Sequence, residues 1–415
     1  MVRFLYILPV AFFGSLGSTL YTLGCVFLLQ ERFHLDGAGV GQFAAEWALA
    51  YLFGCLALSR FLVKLRVTSA LLLATASLGL LWAALGRVDA LWTAHLINLG
   101  CGLVTALFWP PIMGWVSAGL EGPKLGRGLS WYNLSWSAGT VAGPFLAGLL
   151  STRGVAWPLW MSTGLGFACV AILALARSKS IDRSAPAPGP TPGDASAPEQ
   201  NAFMRYLCWI GLFATHVLVG VILNVFPVWA QRDLGYSKVL IGTMLLFRAL
   251  VTATTFFLSG RFSFWHQKAW PIFALEGLLV ATLAALALGP SFPGLFAGLL
   301  LVGFTLAASY VESIFHGVQG SKNRSRRMAI HESLLTAGIV VGAQVGGFLL
   351  DHRGMAWVWG GSALLISLAM AVQALWGGSS KKNRAHGPKP PRLLPPEPGG
   401  SQPIASPPCS PVRMR

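Results

Sequence analysis

Displaced by about two hundred residues, this chain aligns with itself. Arg127 to Gly148 (RGLSWYNLSWSAGTVAGPFLAG) overlays Arg326 to Gly347 (RRMAIHESLLTAGIVVGAQVGG), so that Gly139 falls on Gly338, Gly143 on Gly342 and Gly148 on Gly347. The turn Arg153-Gly154-Val155-Ala156-Trp157 falls on Arg353-Gly354-Met355-Ala356-Trp357. Gln30 meets Gln231, and the Ser59-Arg60-Phe61 corner is similar to Ser259-Gly260-Arg261-Phe262. Two copies of one unit must reach the same local structure, and the pair then meets about an approximate two-fold axis.

The repeated unit is apolar. The 415 residues are 54% hydrophobic and 11% charged, with a mean hydropathy of +0.63, against about 25% charged residues in an ordinary soluble domain. Runs of roughly twenty apolar residues recur, each long enough to cross a hydrocarbon core of about 30 Å. The chain reads as an all-α membrane protein of twelve transmembrane helices in two pseudo-symmetric six-helix bundles. The helices are expected at 4–29, 39–60, 67–86, 90–116, 128–150, 155–176, 204–229, 238–260, 269–288, 294–316, 328–350 and 355–376. The first is too long for a signal-peptide core and has no A-x-A cleavage pattern, so it is expected to be retained. The bundles occupy 1–177 and 203–377. Between them, 178–202 contains SAPAPGPTPGDASAPEQN, which buries no apolar surface and is expected as a disordered cytoplasmic linker. A disordered, Pro-rich, basic tail is expected over 378–415.

The formal charge of +16 is explained by orientation. Connections after the second, fourth, sixth, eighth and tenth helices hold fifteen Lys and Arg, and the alternate set holds six. Basic loops resist translocation, so both termini are expected in the cytosol; the membrane is expected to be a cytoplasmic (inner) one. No nucleic-acid partner is needed. Lys381, Lys382 and Arg384 either lie against anionic head groups or belong to a merely soluble tail. Cys25, Cys55, Cys101, Cys169 and Cys208 fall in apolar runs and Cys409 in the tail, with no disulfide or zinc spacing. They read as small packing residues. No Walker A loop, GxGxxG fingerprint or catalytic-triad spacing is present, and Leu335 stands where His331-Glu332-Ser333-Leu334 would need a second His for a metalloprotease motif. No enzyme, cofactor or resident metal is expected, and the chain is expected to be a monomer.

A duplicated membrane bundle is the architecture of secondary transporters, whose substrate site lies between the halves. Two six-helix halves, a long central linker and matching turns resemble the Major Facilitator Superfamily over about residues 1–376. The best motif is Gly139-Thr140-Val141-Ala142-Gly143-Pro144-Phe145-Leu146-Ala147-Gly148, which is similar to the fifth-helix signature of proton-driven antiporters. Glycines at this spacing cut a groove in which another backbone can approach, and Pro144 removes one hydrogen bond and permits a bend. Ordinary helix packing accounts for the glycines equally well. The second half repeats the groove at Gly338, Gly342 and Gly346, with Ala343 in place of the proline. The family's acidic loop after the second helix is degenerate here. Leu58 takes the Asp position in the first half, and Phe264 takes it in the second. That carboxylate normally helps to hold the outward-open state, so this chain must set its conformational balance by other means.

An ionisable group at mid-bilayer costs roughly 2.5–3.5 kcal/mol on insertion scales, so each one needs a reason. Arg248, deep in the eighth helix, is expected to anchor an anionic substrate or a carboxylate, or else to lock helices in a static salt bridge. Glu46, at the matching depth of the second helix, is its candidate partner across the pseudo-two-fold axis. Glu312 and His316 share a helix face and are expected to gather with His331 and Glu332 at the cytoplasmic end. That group would serve proton coupling, an inner gate or a metal. Smaller polar groups expected along the path are His95, Asn98, Asn133, His216, Asn224 and Tyr310, with Trp131 and Trp136 as aromatic walls; each also suits a plain helix-to-helix hydrogen bond. Glu276, in the ninth helix that the resemblance turns toward lipid, is expected to snorkel or pack. The expected function is secondary transport of a small organic solute by alternating access, with proton-coupled efflux favoured. Sugar or metabolite uptake, and a non-transporting membrane sensor or assembly partner, are the alternatives.

Overall fold

The computed structural model describes residues 2–62, 66–118, 120, 122–178, 202–259, 261–262, 264–266, 268–318 and 324–385. The expected linker segment 184–201, Lys64 and Cys409 lie outside them, as does the tail beyond 385. Among the described residues the regular structure is helical throughout. In the first half, α1 is Phe4–Arg32, α2 Gly37–Leu62 and α3 Val67–Arg87. Next, α4 runs as two segments, Leu91–Thr105 and Trp109–Ser117, followed by α5, Gly122–Ser151, and α6, Trp157–Ser178. In the second half, α7 consists of Ala202–Gly220, a π-helical turn Val221–Val225 and Phe226–Arg232. Then come α8 Lys238–Ser259, α9 Trp270–Ala287, α10 Phe292–Val318, α11 Arg324–Arg353 and α12 Met355–Ala385.

Eleven of these spans are long and apolar enough to cross a membrane. The twelfth, α5, has the length at 30 residues, but Ser130, Asn133, Ser135, Ser137 and Thr140 dilute its apolar run. Two helices expected to be continuous are interrupted, in each case beside a proline. Pro110 and Pro111 open the second segment of α4. Pro227 follows the π turn of α7, where the Phe226 N–H reaches back to the Val221 carbonyl. A proline cannot supply its own N–H, and the inserted residue takes up the slack. At the other end of the chain, α12 stays helical past its expected limit at 376.

The repeat seen in the sequence is a repeat of contacts. Gly154 and Gly354, in the matching turns before α6 and α12, both sit at positive φ (+148° and +84°), and their carbonyls accept from Trp157 N and Trp357 N at 3.0 and 3.2 Å. A side chain is strained in that backbone region. Inside the first half, α1 packs on α5 and α6; inside the second, α7 packs on α11 and α12. Both principal crossings use the motif glycines. A Cβ on Gly139 would meet the Phe12 carbonyl at 2.6 Å, and one on Gly338 would meet the Phe213 carbonyl at 2.7 Å. Gly143 abuts Thr19, and Gly342 would bring a Cβ within 1.8 Å of the Val217 carbonyl. Gly342→Ala therefore forces the α7 and α11 backbones apart. We expect a loss of about 1–3 kcal/mol, the usual cost of overpacking, read as a fall in thermal midpoint in lipid nanodiscs.

The halves join through two equivalent crossings, α2 on α11 and α5 on α8. A Cβ on Gly41 would lie 2.1 Å from the Ala343 carbonyl, and one on Gly242 would lie 2.4 Å from that of Pro144. Gly347 abuts the Gly37 carbonyl, and Gly148 abuts that of Lys238. All of these approaches lie at the end remote from the chain termini. Toward the termini the α5 face that meets α8 becomes bare, with Arg127, Ser130 and Leu134 exposed, and on α11 Ala329 and Glu332 are exposed. The bundles are fastened at one end and parted at the other.

Candidate functional site

Where the bundles part, polar and aromatic residues of both halves converge. Glu332 on α11 is exposed, yet it lies within electrostatic reach of Tyr51 on α2, Tyr132 on α5 and Tyr310 on α10. Exposure among groups from four helices of both halves places this carboxylate on the chamber between the bundles. It has no ion-pair partner among the described residues. Behind it, the Tyr310 ring lies 5.0 Å from the His331 ring in an edge contact, 5.5 Å from Phe256 and 6.2 Å from His216. His331 Nδ1 is 2.9 Å from Ser313 Oγ, and Thr215 and Ser309 hydroxyls are 3.3 Å apart. His216 Nδ1 faces the Leu212 carbonyl at 2.9 Å; a carbonyl only accepts, so that nitrogen carries the hydrogen and Nε2 is left for another partner. On α5, Asn133 and Trp131 are exposed and Trp136 is half-buried. The Trp136 carbonyl accepts from Ser15 Oγ at 2.6 Å, tying α5 to α1.

The expected grouping of Glu312, His316, His331 and Glu332 does not form. His331 and Glu332 lie with Tyr310 beside the chamber. Glu312 instead lies within electrostatic reach of Glu276 on α9, and His316 packs edge-on to Phe315 at 5.0 Å and Trp265 at 6.4 Å. Helical neighbours such as Glu312 and Ser313 point about 100° apart, so α10 serves two environments. The expected Glu46–Arg248 pair does not form either. Glu46 Oε2 binds His95 Nδ1 at 2.6 Å and Oε1 accepts from Gln42 at 2.9 Å, all within the first half on the α2–α4 seam. Arg248, 8% exposed, lies along α10: its Cγ is 3.1 Å from the site of a Gly303 Cβ, and its buried Nε has no partner. Asn98 is a buried crosslink, accepting from Tyr21 Oη and donating to the Phe43 carbonyl at 2.6 Å. Asn224 lies in the π turn of α7 and donates to the Gly220 carbonyl at 3.0 Å, where that turn packs against α11, α2 and α1.

Sequence reasoning missed the fastened end. Asp351, in the last turn of α11, accepts from the backbone N–H groups of Gly37 and Ala38 at 3.1 and 2.6 Å and from Arg232 Nη1 at 2.8 Å. It therefore caps the α2 N-terminus from the opposite half. Glu31 on α1 binds Lys238 Nζ at 2.5 Å and accepts from Gln231 at 3.1 Å, again across the halves. Asp351 is the signal that was present, an acid beside the His352-Arg353-Gly354 turn, but its partners at the start of α2 stand more than 300 residues away.

Two pseudo-symmetric bundles, fastened at one end and parted at the other where polar and aromatic residues converge, have the architecture of a membrane transporter. The family model of the Major Facilitator Superfamily matches residues 7–316, and the chain belongs to that family. Its fold is similar to that of a bacterial homolog of the human lysosomal transporter Spinster in an inward-facing, occupied conformation. That match has a TM-score of 0.72 and 14% identity, covering 92% of this chain and 97% of the other. It is also similar to a POT family transporter in complex with a thioalcohol-conjugated peptide (TM-score 0.70, 13% identity, 91% and 96% covered). A third match is the nucleoside transporter NupG (TM-score 0.65, 12% identity, 92% and 100% covered). At these identities the likeness concerns the fold alone.

Proposed function

We propose that the chain exports a small organic solute across a cytoplasmic membrane by alternating access, exchanging it for protons. The carrying observation is Glu332: an exposed carboxylate without an ion-pair partner among the described residues, within electrostatic reach of Tyr51, Tyr132 and Tyr310 from both halves. A carboxylate with tyrosines nearby favours a positively charged or amine-bearing solute. His331 and His216 supply proton-accepting groups next to the same wall, and Arg248 Nε remains a buried donor for a polar group of the solute or for a carboxylate in another conformation. Asn133 and Trp136 extend the wall on α5. The basic loops put both termini in the cytosol, so the parted end faces the cytosol.

The test is solute-driven proton flux. Proteoliposomes holding the purified protein and a trapped pH dye are challenged with a panel of cationic, neutral and anionic organic solutes. The expected result is a dye response to one or more cationic members that is absent from protein-free liposomes. Solute movement with no proton movement would reduce the reading to facilitated diffusion, and a response confined to anions would overturn the assignment of Glu332.

A further inference from the structure

Away from the chamber, the second bundle buries a carboxyl group that the transport path does not use. Glu276 on α9 is 4% exposed and therefore neither snorkels nor faces lipid. Its Oε1 accepts from Gln373 Nε2 on α12 at 2.8 Å, and the same amide donates to the Leu207 carbonyl on α7 at 2.9 Å. Room for the carboxyl is kept by Gly211 on α7, where a Cβ would stand 2.3 Å from Oε1. Three helices thus build a socket for it. Two acceptors in that socket are left bare: Glu276 Oε2 and Gln373 Oε1 are both buried without a hydrogen-bond donor.

Among the described residues, Glu276 forms no ion pair. From α10, Glu312 lies within electrostatic reach, and Cys208 on α7 is within reach of both carboxyls. Arg205, also on α7, lies over the rings of Tyr206 and Trp209, 4.9 and 5.5 Å from their centroids. From α12 the facing group is the neutral amide of Gln373. Two ionised carboxylates close together in apolar surroundings are strongly disfavoured, and a buried acceptor without a donor costs about 1–3 kcal/mol. One hydrogen atom relieves both conditions.

We propose that Glu276 is a proton-binding site, held as the neutral acid in this conformation, with its Oε2–H donating to Gln373 Oε1 to close an acid–amide pair. The site belongs to the second bundle, and it stands whether or not Glu332 binds the solute. When the proton leaves, an O–H bond at Oε2 breaks and a charge is left in a socket with one remaining donor. That loss strains the α7–α9–α12 packing. The proton passes to the neighbouring Glu312 carboxylate, which lies within electrostatic reach.

Infrared spectroscopy of the full-length protein in lipid nanodiscs tests this without any solute. At neutral pH the wild type should show a protonated-carboxyl C=O band that disappears in Glu276→Gln. The band should move to higher wavenumber in Gln373→Leu, where its hydrogen bond is lost, and remain in Glu332→Gln. Glu276→Gln should keep the wild-type thermal midpoint, because an amide reproduces the neutral acid. A band set identical in wild type and Glu276→Gln would overturn the proposal. So would a sodium-dependent rise in thermal midpoint that Glu276→Gln abolishes, which would identify a metal cation in place of the proton.

Discussion

Replacing Asp351 by asparagine is expected to release the fastened end. The wild-type carboxylate accepts from two free N–H groups at the start of α2 and from Arg232. A helix N-terminus favours an anion there, and charge-assisted bonds contribute about 1.5–3 kcal/mol. Asparagine keeps one acceptor oxygen and loses the charge. A loss of that size shifts the ratio of the two end-states by roughly 10- to 100-fold, since about 1.4 kcal/mol is a tenfold change. The Glu31–Lys238 bond is half-exposed on the glutamate side and is screened by salt, so its removal should matter far less. The readout is a cysteine at Leu350, 2% exposed and seated against Gly37, in a Cys55→Ala, Cys409→Ser background. Asp351→Asn should speed its reaction with a membrane-impermeant maleimide by about tenfold or more, in line with the same shift. Unchanged protection would mean that the glycine crossings alone hold this end.

The second large effect is expected at Glu332. Glu332→Gln keeps the side-chain shape and removes the charge that lies within electrostatic reach of three tyrosines. Solute-driven flux should fall by more than about tenfold, since a hydrogen bond to a charged group contributes some 1.5–3 kcal/mol. Thermal stability should not fall, because the carboxylate is exposed and has no ion-pair partner among the described residues. Glu46→Gln is the matched control. That carboxylate is bonded to His95 and Gln42 within the first half, so its loss should lower stability while leaving flux nearly intact. The reverse pattern would move the binding site to the α2–α4 seam.

The doubled sequence announced the doubled fold because glycine spacing is local information. Gly139 and Gly143, Gly338 and Gly342 each mark a face where a second backbone must come close, and the order of helices follows from hydropathy. Side-chain partnerships were less legible. Glu46 and Arg248 match in depth along their helices, but depth does not fix azimuth, and one turns toward His95 while the other lies along Gly303. Glu312 and Ser313 are chain neighbours that serve different compartments for the same reason. Glu276 was placed by its helix number alone, and nothing in the ninth helix reveals that Gly211 and Gln373, on two other helices, make room for it. The Asp351 cap was invisible because its partners belong to the opposite half, and no local pattern in α11 points to the first turn of α2.

The account rests on two rigid bundles that hinge, so that one end opens as the other closes. Double electron–electron resonance on two spin-label pairs tests that motion directly: Thr152 with Ser237 at the fastened end, and Leu134 with Phe257 at the parted end, all four exposed. In the wild type the first pair should give a short distance distribution and the second a long one. Asp351→Asn should lengthen the first and shorten the second together. Distributions that do not move, or that move in the same direction, would contradict a rocking transporter.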